Sequence, residues 1–587
     1  MSKMINSATL HQPILVIVDS PNHFGAYTGE ILKAEGFNAF QVEPLAEMSL
    51  PRLNSFDIVI LTETGLISDQ ADLLRAYVSG GGQLVAFRPD KQIGDIFGIS
   101  DAGCRVEEGY LRIDPDTPTG AGLTAETLQF HGAADGYNLS GATAVATLFT
   151  DALTPTRFPA LVCHDFGAGR AAAFTYNLAK SVVYTRQGNP AWAGQERDGI
   201  LGIRAAEMYL GWVDPSKNHL NQVDEQMHLL SHILEEFANH RRPLPRWWYF
   251  PGFHQCLVIL TDDGEDSLEN DFEQHLADIE SKGARTTLYL KNPYISPAVV
   301  AQWVGRGHEI AAHFDDTQEA VQPTYAGMNT VAQVTVKNHC EAYGFMPKTV
   351  RNHWIVWVGW SEQASIEASL GIGLDCNLYH YDRGSSHGHY LGGVGNFNGS
   401  GLPMKFANHD GRVIDIYQSL TQLPDEQWLE ANMYGGFKTL VDRSLDQEAY
   451  TFINVNFHTD RWQVWSRKPG LDMLDYANKR GVPMWTAERT LHFLEARDAA
   501  RFQAFSWVDH TLSFTLEAPI PGQDLTLMLP GLYNGMPLSK VEKDGIRLNC
   551  KRMKIKGRKY ALVQTGSGGT FSIQASYAKR SRKQIEN

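Results

Sequence analysis

The sequence predicts an α/β multidomain protein: an N-terminal parallel sheet flanked by helices, a central distorted (β/α) barrel and a C-terminal β-sandwich. Three observations predict it. Short β-branched runs alternate with helical stretches from the start to about residue 498, the rhythm of parallel sheets covered by helices. From about residue 500 that rhythm gives way to short alternating strands split by Gly, Pro, Asn and Asp, the pattern of an antiparallel sandwich. The chain is 587 residues long, 43% hydrophobic and 11% aromatic, enough for about three separate cores.

The first region, 1–240, opens with the strand "ILVIVDS". The helix "YTGEILKAEGF" ends at Gly36, "FDIVILTET" is a buried strand, "DQADLLRAYVSGGG" is a helix with a glycine stop, and "QLVAF" is a further strand. "LVCHDFGAGRAAAF" is two apolar runs around a Gly-rich turn. Its "GAGR", 167–170, lacks G-x-x-x-x-G-K-[ST] and reads as a plain turn rather than a phosphate loop. The helix "DEQMHLLSHILEEFANH" follows, and "RRPLPRW", 241–247, reads as a linker. The opening strand, "FDIVILTE" and "LRAYVSGGGQLVAF" together resemble the flavodoxin-like fold of class I glutamine amidotransferases. Such an enzyme needs a nucleophilic Cys on a strand-to-helix elbow. Here "RPDKQIGDIFGIS" follows "QLVAF", so this domain is expected to be catalytically silent.

The middle region, 246–498, resumes the βα rhythm. "CLVILTDD" is a strand, "DFEQHLADIESKGA" a helix, "RTTLYLK" a strand, and "SPAVVAQWVGRGH" a helix with a serine cap and an early proline. "EIAAH", "KTVRNHW" with the helix "SEQASIEASLGI", "TFINVNFH" and "VPMW" continue the series. In a parallel barrel the catalytic groups sit where strands end. Asp262, Asp263, His313, His353 and His458 all fall at or just beyond strand ends. Adjacent carboxylates repel and shift each other's pKa, and a bound cation offsets that repulsion. The chemistry that fits is metal-assisted hydrolysis: one carboxylate ligates, its neighbour acts as base, and a histidine protonates the leaving group.

"LTDDGEDS", "ARTTLYLKN", "SPAVVAQWVGRGHEIAAH" and "VRNHW", in that order, resemble the NodB-type polysaccharide deacetylases, carbohydrate esterases of the family-four kind. The T-[FY]-D-D-G motif stands as Thr261 to Gly264, "GHEIGNH" as Gly307 to His313, the arginine motif as Arg351 to Trp354, and the late histidine motif ends at His458. The resemblance implies that Asp262 is the general base, Asp263 and His313 are metal ligands, Arg351 orients Asp262, and His458 is the general acid. It also implies loss of an acetyl group from an N-acetylated (or O-acetylated) sugar. One position departs from the pattern. The second metal histidine of H-[ST]-x-x-H is Thr317 here. His353 as third ligand is the favoured repair, with Asp315 or Asp316 as carboxylate substitutes. A metal-free site, as in relatives that act on cyclic imides or ureides, is the remaining option. The expected cofactor is a divalent metal, zinc first, held by Asp263, His313 and His353. The rival readings are a metal-independent amide or imide hydrolase on the same barrel, and a non-catalytic carbohydrate-binding or scaffold protein.

The third region, 500–578, carries "AFSWVDHTLSFTLEA", "DLTLMLPG", "GIRLNC", "YALVQTG" and "GTFSIQASY". A basic tail, 579–587, reads as a solvated terminus. "YHYDRGSSHGHYLGG" holds His380, His387 and His389 and reads as a loop over a site rather than as ligands. His308 reads as structural, and Trp303, Trp354, Trp357, Trp360 and Trp462 as core or sugar-stacking groups. Six scattered cysteines read as free thiols. The net charge of −15 argues against a nucleic-acid partner. The N-terminus has no secretory pattern and no run of 18 apolar residues occurs, so the expected location is cytoplasmic, with no membrane partner. The expected partner is a carbohydrate substrate, and the flanking domains would shape the cleft or mediate assembly into a homo-oligomer.

Overall fold

A computed structural model describes residues 12–19, 24–315, 321–380, 391–427 and 430–578. The basic tail and the residues His387, His389, Asp316 and Thr317 lie outside the described residues.

The first region builds a nine-stranded sheet. Phe40–Pro44, Ile14–Val18, Ile58–Leu61, Gln83–Phe87 and Gly169–Phe174 run parallel as neighbours, as the alternation predicts. The sheet then turns antiparallel through Pro155–Phe166, Thr143–Phe149, Tyr110–Ile113 and Thr127–Gln129. It is therefore mixed, not purely parallel. The antiparallel half escaped sequence reading because Tyr110–Ile113 and Thr127–Gln129 are only four and three residues long, and Pro155–Phe166 is exposed or half-buried at both ends. The turn after Gln83–Phe87 bears Arg88 in the left-handed region at φ 43°. Its guanidinium donates to Asp135 and Glu63, and no thiol stands at that turn.

The middle region closes a seven-stranded parallel barrel. The strands are β1 (Cys256–Asp263), β2 (Thr287–Leu290), β3 (Glu309–Phe314), β4 (Thr349–Asn352), β5 (Leu374–Tyr379), β6 (Val413–Pro424) and β7 (Thr451–His458). They pair in chain order, and β7 returns to β1. Every residue of β1 and β7 is buried, as expected for strands covered on both faces. Outside the ring, Met484–Trp485 pairs with β1.

The third region forms two antiparallel sheets. One holds Arg501–Val508, Thr511–Ala518, Gly569–Tyr577 and Met536–Lys543. The other holds Thr526–Pro530, Arg558–Gln564 and Lys551–Ile555. Leu512, Phe514, Leu527, Leu562 and Ile573 share one apolar cluster with Trp247 and Phe250. The stretch read as a linker takes part in this module. Arg246–Trp247 pairs antiparallel with Thr526–Pro530. Arg246 is buried and donates to Glu35, Glu235 and the hydroxyls of Tyr249 and Tyr560, so one guanidinium ties all three regions together. Pro and Arg in that stretch signal a linker by composition, but ion pairing to distant carboxylates outweighs the local signal.

At the foot of the barrel Glu309 is fully enclosed. Its carboxyl accepts from the Thr287 and Thr349 hydroxyls and from the Glu488 amide. Burial, then the charge of Glu488, push it up to about 7. Its folded value lies above the unfolded one, so its stabilising contribution is complete below the ordinary carboxyl range and is lost as pH rises through about 7. We expect denaturant titrations of the wild type to lose on the order of 2–3 kcal/mol between pH 5 and pH 8 through this group. Glu309→Gln should flatten that slope; an unchanged slope would remove Glu309 as its source.

Candidate active site

The C-terminal mouth of the barrel opens into a cavity of about 630 Å³ lined by Asp263, Glu265, Asn352, His353, Tyr379, Glu426 and His458. Six strand ends deliver the groups: β1 gives Asp263, β3 His313, β4 Arg351, β5 Tyr379, β6 the following Glu426, and β7 His458. Parallel pairing sets Asp263 beside His458 and His313 beside Arg351.

Asp262 does not join them. Neighbouring side chains on a strand point to opposite faces. Asp263 turns into the barrel mouth, while Asp262 turns outward under the helix Glu269–Ser281. There it is wholly buried, accepts from the Thr286 hydroxyl, and lies 2.6 Å from His275 Nε2. The structure thus does not place Asp262 where the expected general base must be. Arg351 likewise orients Asp263, with Nη1 at 3.2 Å from Oδ1, rather than Asp262. Asp263 Oδ2 also accepts from Asn456 at 2.9 Å and from the Tyr379 hydroxyl at 3.3 Å. Burial opposes its ionisation, but Arg351, His313 and His458 outweigh burial and hold it below the usual carboxylate range.

Three imidazoles converge on this mouth, each pinned by its remote nitrogen. His313 Nδ1 donates to the Arg351 carbonyl at 2.8 Å. His353 Nδ1 meets Asp315 at 2.6 Å, and His458 Nδ1 meets Asp425 at 2.7 Å. Their Nε2 atoms lie 3.9, 3.4 and 3.9 Å from the carboxylate of Glu265. Glu265 is the residue that sequence reading missed. It stands two places past the aspartate pair at φ 45°, a strained left-handed conformation for a residue with a side chain. Gly264 makes this turn possible. A Cβ there would sit 2.8 Å from Leu290 and 3.0 Å from the Tyr289 carbonyl, so only glycine lets the chain fold back over the barrel. Burial resists ionisation of Glu265. The His313 and His353 rings and the Lys291 ammonium overcome it and hold the carboxyl well below its ordinary range. The signal that could have revealed Glu265 is the acid that follows "DDG".

The donor set fits a divalent ion. His313 Nε2 is buried and has no hydrogen-bond partner among the described residues. Its Nδ1 is committed as a donor, so Nε2 offers a lone pair to the cavity. A metal-binding histidine is held this way by a second group. Asp263, Glu265 and His458 bring one donor atom each to within 4.8 Å of one another, but Glu426 and Asp425 favour the protonated His458 ring, which leaves His313 and His353 as the nitrogen donors. Asp315 is spent on His353 rather than aimed into the mouth. His308 Nδ1 accepts from the Thr286 amide and its Nε2 meets Glu280, away from the cavity. Trp303, Trp357, Trp360 and Trp462 are core residues, whereas Trp354 is half exposed at the rim with φ 55°.

His458 carries the opposite electrostatics to Glu265. Burial disfavours its imidazolium, but Glu426, Asp425 and Asp263 raise its proton affinity well above that of an ordinary histidine. Glu426, beside it, is pushed up to about 7 by burial first, and then by Asp425 and Asp263, against the lowering effect of His458.

No family profile matches the chain, and no curated protein matches it by sequence. Solved structures with a similar shape include the carbohydrate deacetylase Agd3, at 12% identity and a TM-score of 0.42, covering 97% of this chain and 100% of that one. A protein assigned as a polysaccharide deacetylase from Mycobacterium smegmatis matches 43% of this chain and 94% of its own, at 12% identity and a TM-score of 0.33. A β-galactosidase from Bacillus circulans sp. alkalophilus matches 29% of this chain and 30% of its own, at 14% identity and a TM-score of 0.23. All three are distant likenesses.

Elemental mass spectrometry of the purified protein should find near one equivalent of zinc or a similar divalent ion. His313→Ala and Glu265→Ala should each lower that occupancy at least about tenfold, with far-ultraviolet circular dichroism unchanged. Equal metal content in all three proteins would place the ion elsewhere.

Proposed function

We propose that this protein is a hydrolase that removes an acetyl group from an N-acetylated sugar, with a divalent metal held by Asp263, His313 and His353 and by Glu265 in place of the missing second histidine. The observation that carries the reading is the convergence of three pinned imidazoles on one ionised carboxylate at the barrel mouth. The ordered motifs that resemble the NodB-type deacetylases support it. When bound, the ion would polarise the acetyl carbonyl and lower the pKa of a water.

The residues of the chain supply the rest. His458, kept protonated by Asp425 and Glu426, hands a proton to the departing nitrogen, which leaves as an amine. Asp425 fixes the ring so that Nε2 faces the cavity. Glu426 lines the same cavity with a proton affinity matched to neutral pH, which suits it to take the proton from the attacking water. Arg351 keeps Asp263 ionised and immobile. The exposed Trp354 at the rim offers an aromatic face, and sugar rings pack on such faces.

Activity is best assayed as acetate release from N-acetylglucosamine oligomers. His458→Gln should lower kcat by about 10²–10⁴-fold while metal content stays at the wild-type level. Asp262→Asn should keep kcat within a few-fold and instead lower thermal stability, because it alters a buried contact outside the cavity. Loss of chemistry in Asp262→Asn with stability intact would restore Asp262 as the base.

The pH profile carries a second test. A base with a value near 7 must be ionised to act, so kcat/KM should fall as pH drops below about 7. Glu426→Gln should lower kcat/KM and abolish that acidic limb. A limb that persists in Glu426→Gln would assign it to another group.

A further inference from the structure

The wall of the cavity that faces the barrel mouth comes from the first region of the chain: Ile200, Leu201 and Arg204. The Ile203 carbonyl accepts from the Trp357 amide at 3.0 Å, and Arg204 bridges to Val356. This irregular loop therefore lies against the segment that bears His353. Behind it, Glu196, Asp198 and Glu207 bring one carboxylate oxygen each to within 4.8 Å of one another.

Glu207 is only 1% exposed. One of its oxygens accepts from the Arg197 amide at 2.8 Å, and the other is buried without a partner. The nearby cations leave the cluster undercompensated. The Arg197 guanidinium stacks 3.7 Å over the Trp192 ring. Arg204 donates to the carbonyls of Ile200, Leu201 and Gly202 and comes only to 3.9 Å from Asp198. Burial, with the charges of Asp198 and Glu196, pushes the Glu207 carboxyl up to about 7 against the lowering effect of the Arg197 amide and Arg204, so the three acids repel one another with no cationic side chain between them among the described residues. The spacing is also informative. Glu196, Asp198 and Glu207 occupy positions one, three and twelve of a twelve-residue run, the spacing of acidic ligands in calcium loops. The run lacks the acidic fifth position and the glycine at the sixth, which here are Ile200 and Leu201, and Glu207 lies on the short 3-10 turn Ala205–Tyr209 rather than on an α-helix.

We propose that Glu196, Asp198 and Glu207 form a second cation site, specific for calcium, that braces the cavity wall. The donors are all oxygen, which suits a hard cation and not zinc. An irregular loop suits the flexible coordination of calcium better than the strict octahedron of magnesium. The site is separate from the barrel mouth, and it stands whether or not the barrel hydrolyses acetyl groups.

The test is terbium luminescence on the full-length, chelator-treated protein, excited through tryptophan, with calcium as competitor. Wild type should show a signal that calcium displaces, and calcium should raise its melting temperature. Glu207→Gln and the exposed-site variant Glu196→Gln should each weaken terbium and calcium binding at least about tenfold and lose the thermal response. His313→Ala should retain both. Without calcium, Glu207→Gln should melt no lower than wild type, since the amide oxygen can still accept from the Arg197 amide while the repulsion from Asp198 and Glu196 is removed. No wild-type signal at millimolar calcium or terbium would overturn the proposal. So would binding that survives in Glu196→Gln and Glu207→Gln, or a signal lost in His313→Ala.

Discussion

The site depends on one buried guanidinium. Arg351 is wholly enclosed and donates to Asp263, the Thr261 and Thr421 hydroxyls, Asn456 and the Cys376 carbonyl. Those partners sit on β1, β5, β6 and β7, so the cation clamps most of the ring around its own strand. Its plane lies about equally far from the Tyr289 and Tyr379 rings, at 5.0 and 5.2 Å, which shield it from water. Its main-chain carbonyl also fixes the His313 ring. Breaking a buried pair by removing one partner costs about 3–5 kcal/mol, because the surviving charge is left alone. Arg351 and Asp263 therefore hold one another in place, and the imidazoles are arranged around the pair.

That arrangement explains why two adjacent carboxylates end β1. They are not a pair in space. Strand alternation separates them, and each meets its own histidine environment: Asp262 with His275 under a helix, Asp263 with His313 and His458 in the mouth. The cost of their adjacency in sequence is met by two distinct sets of partners on opposite faces of one strand. The glycine that follows then returns Glu265 to the inner face, where it completes the acidic centre.

Much of the fold was legible. β1, β2, β3 and β7 announce themselves as apolar runs that end in polar groups, and β4 was placed by the residues that lead into it. Asp263, His313, His353 and His458 do meet at the mouth. β5 and β6 were missed because "LDCNLY" and "VIDIYQSLTQLP" mix Asp, Asn, Gln and Ser into buried positions. Those polar groups serve internal hydrogen bonds such as Gln422 to Asn396, which hydropathy cannot anticipate. Asp262 was misplaced because a motif reports identity and order but not the face of the strand. Glu265 was missed because its position depends on a left-handed turn, which is a property of backbone and neighbours together. Arg246 was read as part of a linker for the same reason: its partners, Glu35 and Glu235, are remote in sequence.

The flanking regions shape the barrel rather than merely accompany it. Arg246 joins the three regions through one ion-pair network, and the loop at 200–204 closes one side of the cavity. No helix among the described residues is long and apolar enough to cross a membrane. The proposed reaction requires a divalent ion among Asp263, Glu265, His313 and His353. A crystal structure with anomalous diffraction recorded on both sides of the zinc edge tests it most directly. One strong anomalous peak is expected within bonding distance of His313 Nε2 and His353 Nε2 and of the two carboxylates. A peak bound elsewhere, or a barrel mouth filled only by water in zinc-soaked crystals, would contradict it.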